Sequence, residues 1–147
     1  MATARTKGRV LTMESGGQQL LERKLTHRFV TGINGNAIGN TTVFTTDANL
    51  GLFCVVEWVI IATSIVGLTL LPTISLGYTA ANYDQISAAL QLSANGTNKY
   101  EVRVPGDIEA TGSNLVAVST AVVARVNPAG TGTTCTLRID ARGFYLS

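Results

Sequence analysis

Chemistry has little to start from in this chain. It holds one histidine, two cysteines and nine carboxylates, and only 14% of its residues are charged, against about 25% in an average domain. Nucleophilic or general-base catalysis needs a Ser or Cys within reach of a base and a third group to orient that base. The single His27 has no GxSxG or similar signature near it, so it is expected to be a solvated or packed surface side chain. Cys54 and Cys135 form no CxxC and have no histidine at metal-ligand spacing; free thiols are expected. The carboxylates are scattered, and the closest pair after residue 100, Asp107 and Glu109 in "PGDIEATG", reads as a polar loop and not a calcium site. "GINGNAIG" and "AGTGTT" contain glycines without the spacing that aims backbone N–H groups at a phosphate, so both read as turns. No catalytic, cofactor-binding or metal-binding residue is nominated, no cofactor is expected, and an enzyme is the least favoured class.

A secretory signal is also missing, because the basic start runs into "LTMESGGQQ" and not into an apolar stretch. Synthesis in a cytoplasm is expected, and the glycosylation-like "NTT" at Asn40 and "NGT" at Asn95 are read as chance matches. The one long apolar passage, "EWVIIATSIVGLTLLPTISLG", raises the possibility of a membrane span. Residues 55–71 give 17 positions, near the lower limit for a spanning helix. Nine of those 17 are Val, Ile or Thr, which favour strands, and no Lys or Arg lies between Arg28 and Lys99 to flank a span. Two strands joined near residues 64–67 explain the passage better, with Pro72 at a strand start or edge.

What is present is β patterning. "KYEVRV" alternates, with Tyr100, Val102 and Val104 on the expected core side and Lys99, Glu101 and Arg103 on the expected wet side. "TCTLRIDA" places Cys135, Leu137, Ile139 and Ala141 together, opposite Thr134, Thr136, Arg138 and Asp140. "NLVAVSTAVVARV", residues 114–126, is apolar on nearly both faces and reads as a central strand or one covered by a partner subunit, with "NPAGTGTT" as a hairpin connection to the next. "YTAANYDQISAAL" predicts one short helix from Tyr83, capped by Asn82 or Thr79 and burying Tyr83, Ile86 and Leu90. The chain of 147 residues is long enough to bury about 68–70% of its unfolded surface in one core. The predicted fold is all-β: a β-sandwich of jelly-roll type with one short helix and an extended N-terminal arm.

Charge is unevenly placed. Residues 1–28 carry six basic and two acidic side chains, and the rest of the chain carries five basic and seven acidic. The arm is assigned to residues 1–27 and the sandwich to 28–147. "QQLLERKLTHRF" fits either a short helix or a strand leading into the domain. The candidate partner-binding residues are Arg5, Lys7, Arg9, Val10, Leu11, Arg23, Lys24 and Arg28. No aromatic residue precedes Phe29, so base stacking within the arm is not available, and a protein is favoured over nucleic acid as its partner.

"LPTISLGYTAANYDQI", residues 71–86, resembles virion β-sandwich proteins of tailed bacteriophages, notably capsid decoration or cement proteins. The resemblance spans residues 40–147 as a pattern of strands and turns. It implies a non-enzymatic protein that stabilises the phage head. Copies, trimers being favoured, would sit on the outer capsid surface of the virion between major capsid protein subunits. The arm would reach across that surface, and no membrane is involved. A second class, a tail or fibre sandwich that binds a receptor or carbohydrate, would need a groove of exposed aromatics. One Trp, four Tyr and four Phe leave few for it.

Overall fold

The computed structural model describes residues 10–12, 19–21, 25–105 and 114–146. Two short strands come first, β1 (Val10–Thr12) and β2 (Gln19–Leu21), paired antiparallel with Leu11 opposite Leu20. Nine strands follow: β3 (Thr26–Asn34), β4 (Gly39–Thr45), β5 (Leu52–Val66), β6 (Thr73–Gly77), β7 (Ser87–Gln91), β8 (Lys99–Arg103), β9 (Leu115–Val116), β10 (Ala121–Val126) and β11 (Thr134–Leu146). They form two antiparallel sheets, ordered β3-β11-β5-β8 with β9 also on β5, and β4-β10-β6-β7.

The pairs nest: β3 with β11, β4 with β10, β5 with β8, β6 with β7. Such nesting is an antiparallel ribbon folded over and wound so that successive pairs fall in alternate sheets. This is the jelly roll, and the sequence expectation of an all-β sandwich holds. Of the "QQLLERKLTHRF" stretch, the described parts are strands, β2 and the start of β3, apart from Leu25 just ahead of β3.

The apolar passage is two strands, as its β-branched content implies. β5 runs 15 residues and the chain turns at Gly67 before β6, with Pro72 immediately ahead of that strand. Phe53 and Val55 face the core, then Trp58, Ile60 and Ala62 do. The change of parity falls where the β11 pairing slips, between Arg142 and Gly143. One extra residue in a strand moves every later side chain to the other face. Gly143 makes the close approach possible, since a Cβ there would overlap the Cys54 carbonyl and lie 2.7 Å from the Phe53 ring. Phe53 of β5 lies between two aromatic edges, one from the opposite sheet and one from its own. Phe44 of β4 lies 5.1 Å and Tyr145 of β11 4.8 Å from it, centroid to centroid, both near-perpendicular, a geometry worth about 0.5–1.5 kcal/mol per pair.

Three expectations are corrected. The helix from Tyr83 does not form: residues 78–86 are irregular, Ala81 and Tyr83 adopt positive φ, and Ser87–Gln91 is strand β7. The Gln85 carbonyl oxygen takes the backbone N–H groups of Tyr78 and Thr79, so a side chain satisfies the donors that a helix would use. Ile86 is buried as expected, but Leu90 is 46% exposed. The single central strand at residues 114–126 is instead β9 and β10 in different sheets. The crossing is pinned by the Thr46 hydroxyl, which donates to the Ala117 carbonyl at 2.6 Å and accepts from the Thr120 N–H at 2.8 Å. Nor is β10 joined to β11 as a hairpin. Both edges of β10 are occupied, by β4 and β6, so residues 127–133 carry the chain to the other sheet.

The bulge predicts a steric test. Gly143→Ala should lower stability by about 1–3 kcal/mol, measured by urea unfolding, while Gly39→Ala, where a Cβ meets nothing within 4 Å, should change it little.

Candidate assembly interface

β8 is the strand whose orientation the sequence pattern misassigns. Its charged side faces inward and its apolar side faces out: Arg103 is 6% exposed, whereas Tyr100, Val102 and Val104, just past the strand, are 68%, 51% and 65% exposed. The reason is the set of partners waiting inside. Arg103 Nη1 donates to the Ile74 carbonyl at 2.7 Å, and Nη2 donates to the carbonyls of Leu90 at 3.0 Å and Gln91 at 3.3 Å. These belong to β6 and β7 of the opposite sheet, so one side chain ties the two layers together. Its Nε donates to Glu101, 2.5 Å away, and its guanidinium lies 5.2 Å from the Trp58 ring centroid. Glu101 also accepts from the Ser93 N–H at 2.6 Å and hydroxyl at 2.7 Å. Burial on its own would raise the Glu101 carboxyl, but the Ser93 and Arg103 contacts outweigh it and hold the group below its ordinary value.

With that side locked in, the other is presented to solvent. Register places Phe29, Asp140, Val59 and Val102 in one row across the outer side of the five-stranded sheet, with Arg138, Ile61 and Tyr100 in the next. The half built on β3 and β11 is polar. Asp140, 5% exposed although it faces outward, accepts from Arg138 at 2.6 and 3.1 Å and contacts His27 Nε2 at 3.0 Å. Burial pushes its carboxyl up, and the Arg138 and His27 contacts bring it below the usual value. The Arg138 guanidinium sits 4.2 Å over the Phe29 ring, and Arg142 pairs with Glu57 at 2.7 Å. The half built on β5 and β8 is apolar: Val59, Ile61, Tyr100, Val102 and Val104. An outward strand of large apolar side chains beside a neutralised polar cluster has the composition of a protein contact.

Of the arm residues nominated from sequence, Arg28 is exposed on β3, with its backbone opposite Ala141. Val10 and Leu11 lie on β1, opposite Leu21 and Leu20. Arg5, Lys7, Arg9, Arg23 and Lys24 lie outside the described residues, as do Asp107 and Glu109. His27 is a surface side chain, as expected: it is 42% exposed, contacts Asp140 through Nε2 and lies 5.7 Å from the Phe29 ring, centroid to centroid. Cys54 and Cys135 are free thiols at opposite ends of the β5–β11 ladder, each pushed up by burial. Among the described residues, no group of three His, Cys, Asp or Glu is placed to hold a metal ion, and no helix is long and apolar enough to cross a membrane.

No family model matches the chain, and no curated protein sequence does. Solved structures do. A chain of the acidic stable capsid structure of Helicobacter pylori bacteriophage KHP30 aligns with a TM-score of 0.54 at 15% identity, covering 84% of this chain and 88% of that one. A chain of the cyanophage Pam1 capsid asymmetric unit aligns with a TM-score of 0.49 at 18% identity, covering 84% of each. The first of these likenesses establishes a shared fold over most of both chains.

Two outcomes follow from the buried pair. Arg103→Met should cost about 3–5 kcal/mol, because it leaves Glu101 without its cation, and the double variant with Glu101→Gln should recover part of that loss in urea unfolding. Both depressed carboxyls, Glu101 and Asp140, give stability that is fully present above the unfolded-state carboxylate range, about pH 4, and lost as pH falls through their folded values. The urea midpoint should be level from pH 6 to 8 and drop below that range, with a shallower drop in Glu101→Gln.

Proposed function

We propose that the protein is a non-enzymatic structural component of a phage virion that binds the outer surface of the head and stabilises it, as decoration or cement proteins do. The observation that carries this reading is the outward apolar half of the five-stranded sheet, kept outward by Arg103 on a jelly-roll scaffold. The fold likeness to a chain of a phage capsid structure supports it, as does the sequence resemblance at residues 71–86. Its partner is a major capsid protein, and its copies group as trimers, the arrangement the resemblance implies. Residues 1–27 act as the arm, its last two residues, Thr26 and His27, joining the sheet as the start of β3. Arg5, Lys7, Arg9, Arg23, Lys24 and Arg28 steer docking, and exposed ion pairs of this kind contribute only about 0–1 kcal/mol each. Val10 and Leu11 contribute more if covered, up to about 1.5–3 kcal/mol for a fully buried large side chain. Modest contacts repeated across an assembly then add through avidity.

Two variants test the reading by co-sedimentation with phage heads that lack the protein. Deletion of residues 1–19 should abolish binding while the domain keeps its thermal melt; unchanged binding would remove the arm's role. Val102→Lys, at an exposed position where folding stability changes by no more than about 0.5 kcal/mol, should weaken binding at least tenfold. Binding equal to wild type would exclude the β8 face from the contact.

A further inference from the structure

The loop at residues 78–86, "YTAANYDQI", is not used by the assembly surface. It folds back across the outer side of the four-stranded sheet. The crossing is tightest at Gly77, where a Cβ would run into the Gln85 side chain and the backbone of Tyr83 and Asp84. Ala81 and Tyr83 hold φ of 87° and 50°, a left-handed backbone that non-glycine residues adopt only where their surroundings impose it. Here the imposition is visible. Gln85 Oε1 accepts from the N–H groups of Tyr78 and Thr79 at 3.1 and 3.0 Å, and the buried Ser75 hydroxyl donates to the Asn82 carbonyl at 3.1 Å.

The loop so held walls a cavity of about 220 Å³ lined by Ser75, Asn82, Asp84, Ala89, Arg125 and Asn127. Arg125 comes from β10 and is half-buried. Among the described residues it makes no ion pair or hydrogen bond, although the Asp84 carboxylate lines the same cavity and accepts only from Gln85 Nε2, at 3.1 Å. A planar guanidinium with free N–H groups matches a carboxylate two-pronged. The amides of Asn82 and Asn127 each offer a donor and an acceptor, and Asp84 retains acceptor capacity for hydroxyls. The volume is below that of drug-sized sites, which limits the occupant to one small polar unit.

We propose that this cavity binds a single acidic monosaccharide unit, with its carboxylate on Arg125 and its hydroxyls on Asp84, Asn82 and Asn127. The site lies on the opposite sheet from the assembly surface and does not depend on it. With no aromatic ring among the lining residues to stack on the sugar, single-unit affinity falls in the millimolar range, about −4 kcal/mol by conversion of a 1 mM Kd.

The test is an amide-resolved NMR titration of the full chain with sodium D-glucuronate, D-glucose and sodium acetate. Glucuronate should shift the signals of Asn82, Asp84, Ala89 and Arg125, with glucose and acetate each at least tenfold weaker. Arg125→Gln should reduce glucuronate to the glucose level, and Arg142→Gln, on the other sheet, should leave it unchanged. Acetate binding as well as glucuronate would overturn the saccharide assignment in favour of a simple anion contact. Shifts elsewhere on the surface, glucuronate binding unaffected by Arg125→Gln in a variant whose spectrum remains folded, or no shifts at 50 mM would overturn the site itself.

Discussion

Arg103 is the residue on which the rest of the molecule turns. A guanidinium between two sheets is costly unless every donor finds an acceptor. Here the acceptors are the carbonyls of Ile74, Leu90 and Gln91 on one layer and the Glu101 carboxylate beside it. The arrangement fixes which way β8 faces, sets the spacing of the β6–β7 pair against it, and covers the Trp58 ring. It also determines the surface. Because successive residues of a strand point to opposite sides, holding Glu101 and Arg103 inside leaves Tyr100, Val102 and Val104 outside.

This inversion explains where sequence reasoning reached and where it stopped. Strand content, the two-strand reading of the apolar passage and the core side of β11 were legible, because β-branched composition and period-two alternation report local preference directly. β8 has equally clean alternation, yet the pattern states only that two faces differ. Which one is buried depends on carbonyls contributed by β6 and β7, twelve or more positions away in the chain. The loop at residues 78–86 was misassigned for a related reason. Its composition suits a short helix, but the fold uses the Gln85 side chain as a backbone acceptor and the missing Cβ of Gly77 as the space to cross. Both outcomes require tertiary partners that periodicity does not encode. The split of residues 114–126 between sheets likewise depends on Thr46, distant in sequence.

The two sheets thus carry different surfaces. The five-stranded sheet offers an apolar half beside a cluster whose charges, Asp140 with Arg138 and Glu57 with Arg142, are already paired, with His27 also in contact with Asp140. Such a face can be covered by a partner without stranding a charge. The four-stranded sheet is covered in part by its own loop, and that loop leaves a small polar cavity whose Arg125 makes no ion pair among the described residues. A low-charge chain rich in Thr, Ser and Asn is consistent with both, since neither surface relies on long-range electrostatics.

The most direct test of the account is hydroxyl-radical footprinting of Tyr100 and Trp58 in the free protein and on assembled particles. In the free protein Tyr100 should be modified readily and Trp58 hardly at all, and on the particle Tyr100 should fall at least tenfold. A reactive Trp58 with a silent Tyr100 in the free protein would contradict the orientation of β8, and a Tyr100 equally reactive on the particle would contradict its place in the contact.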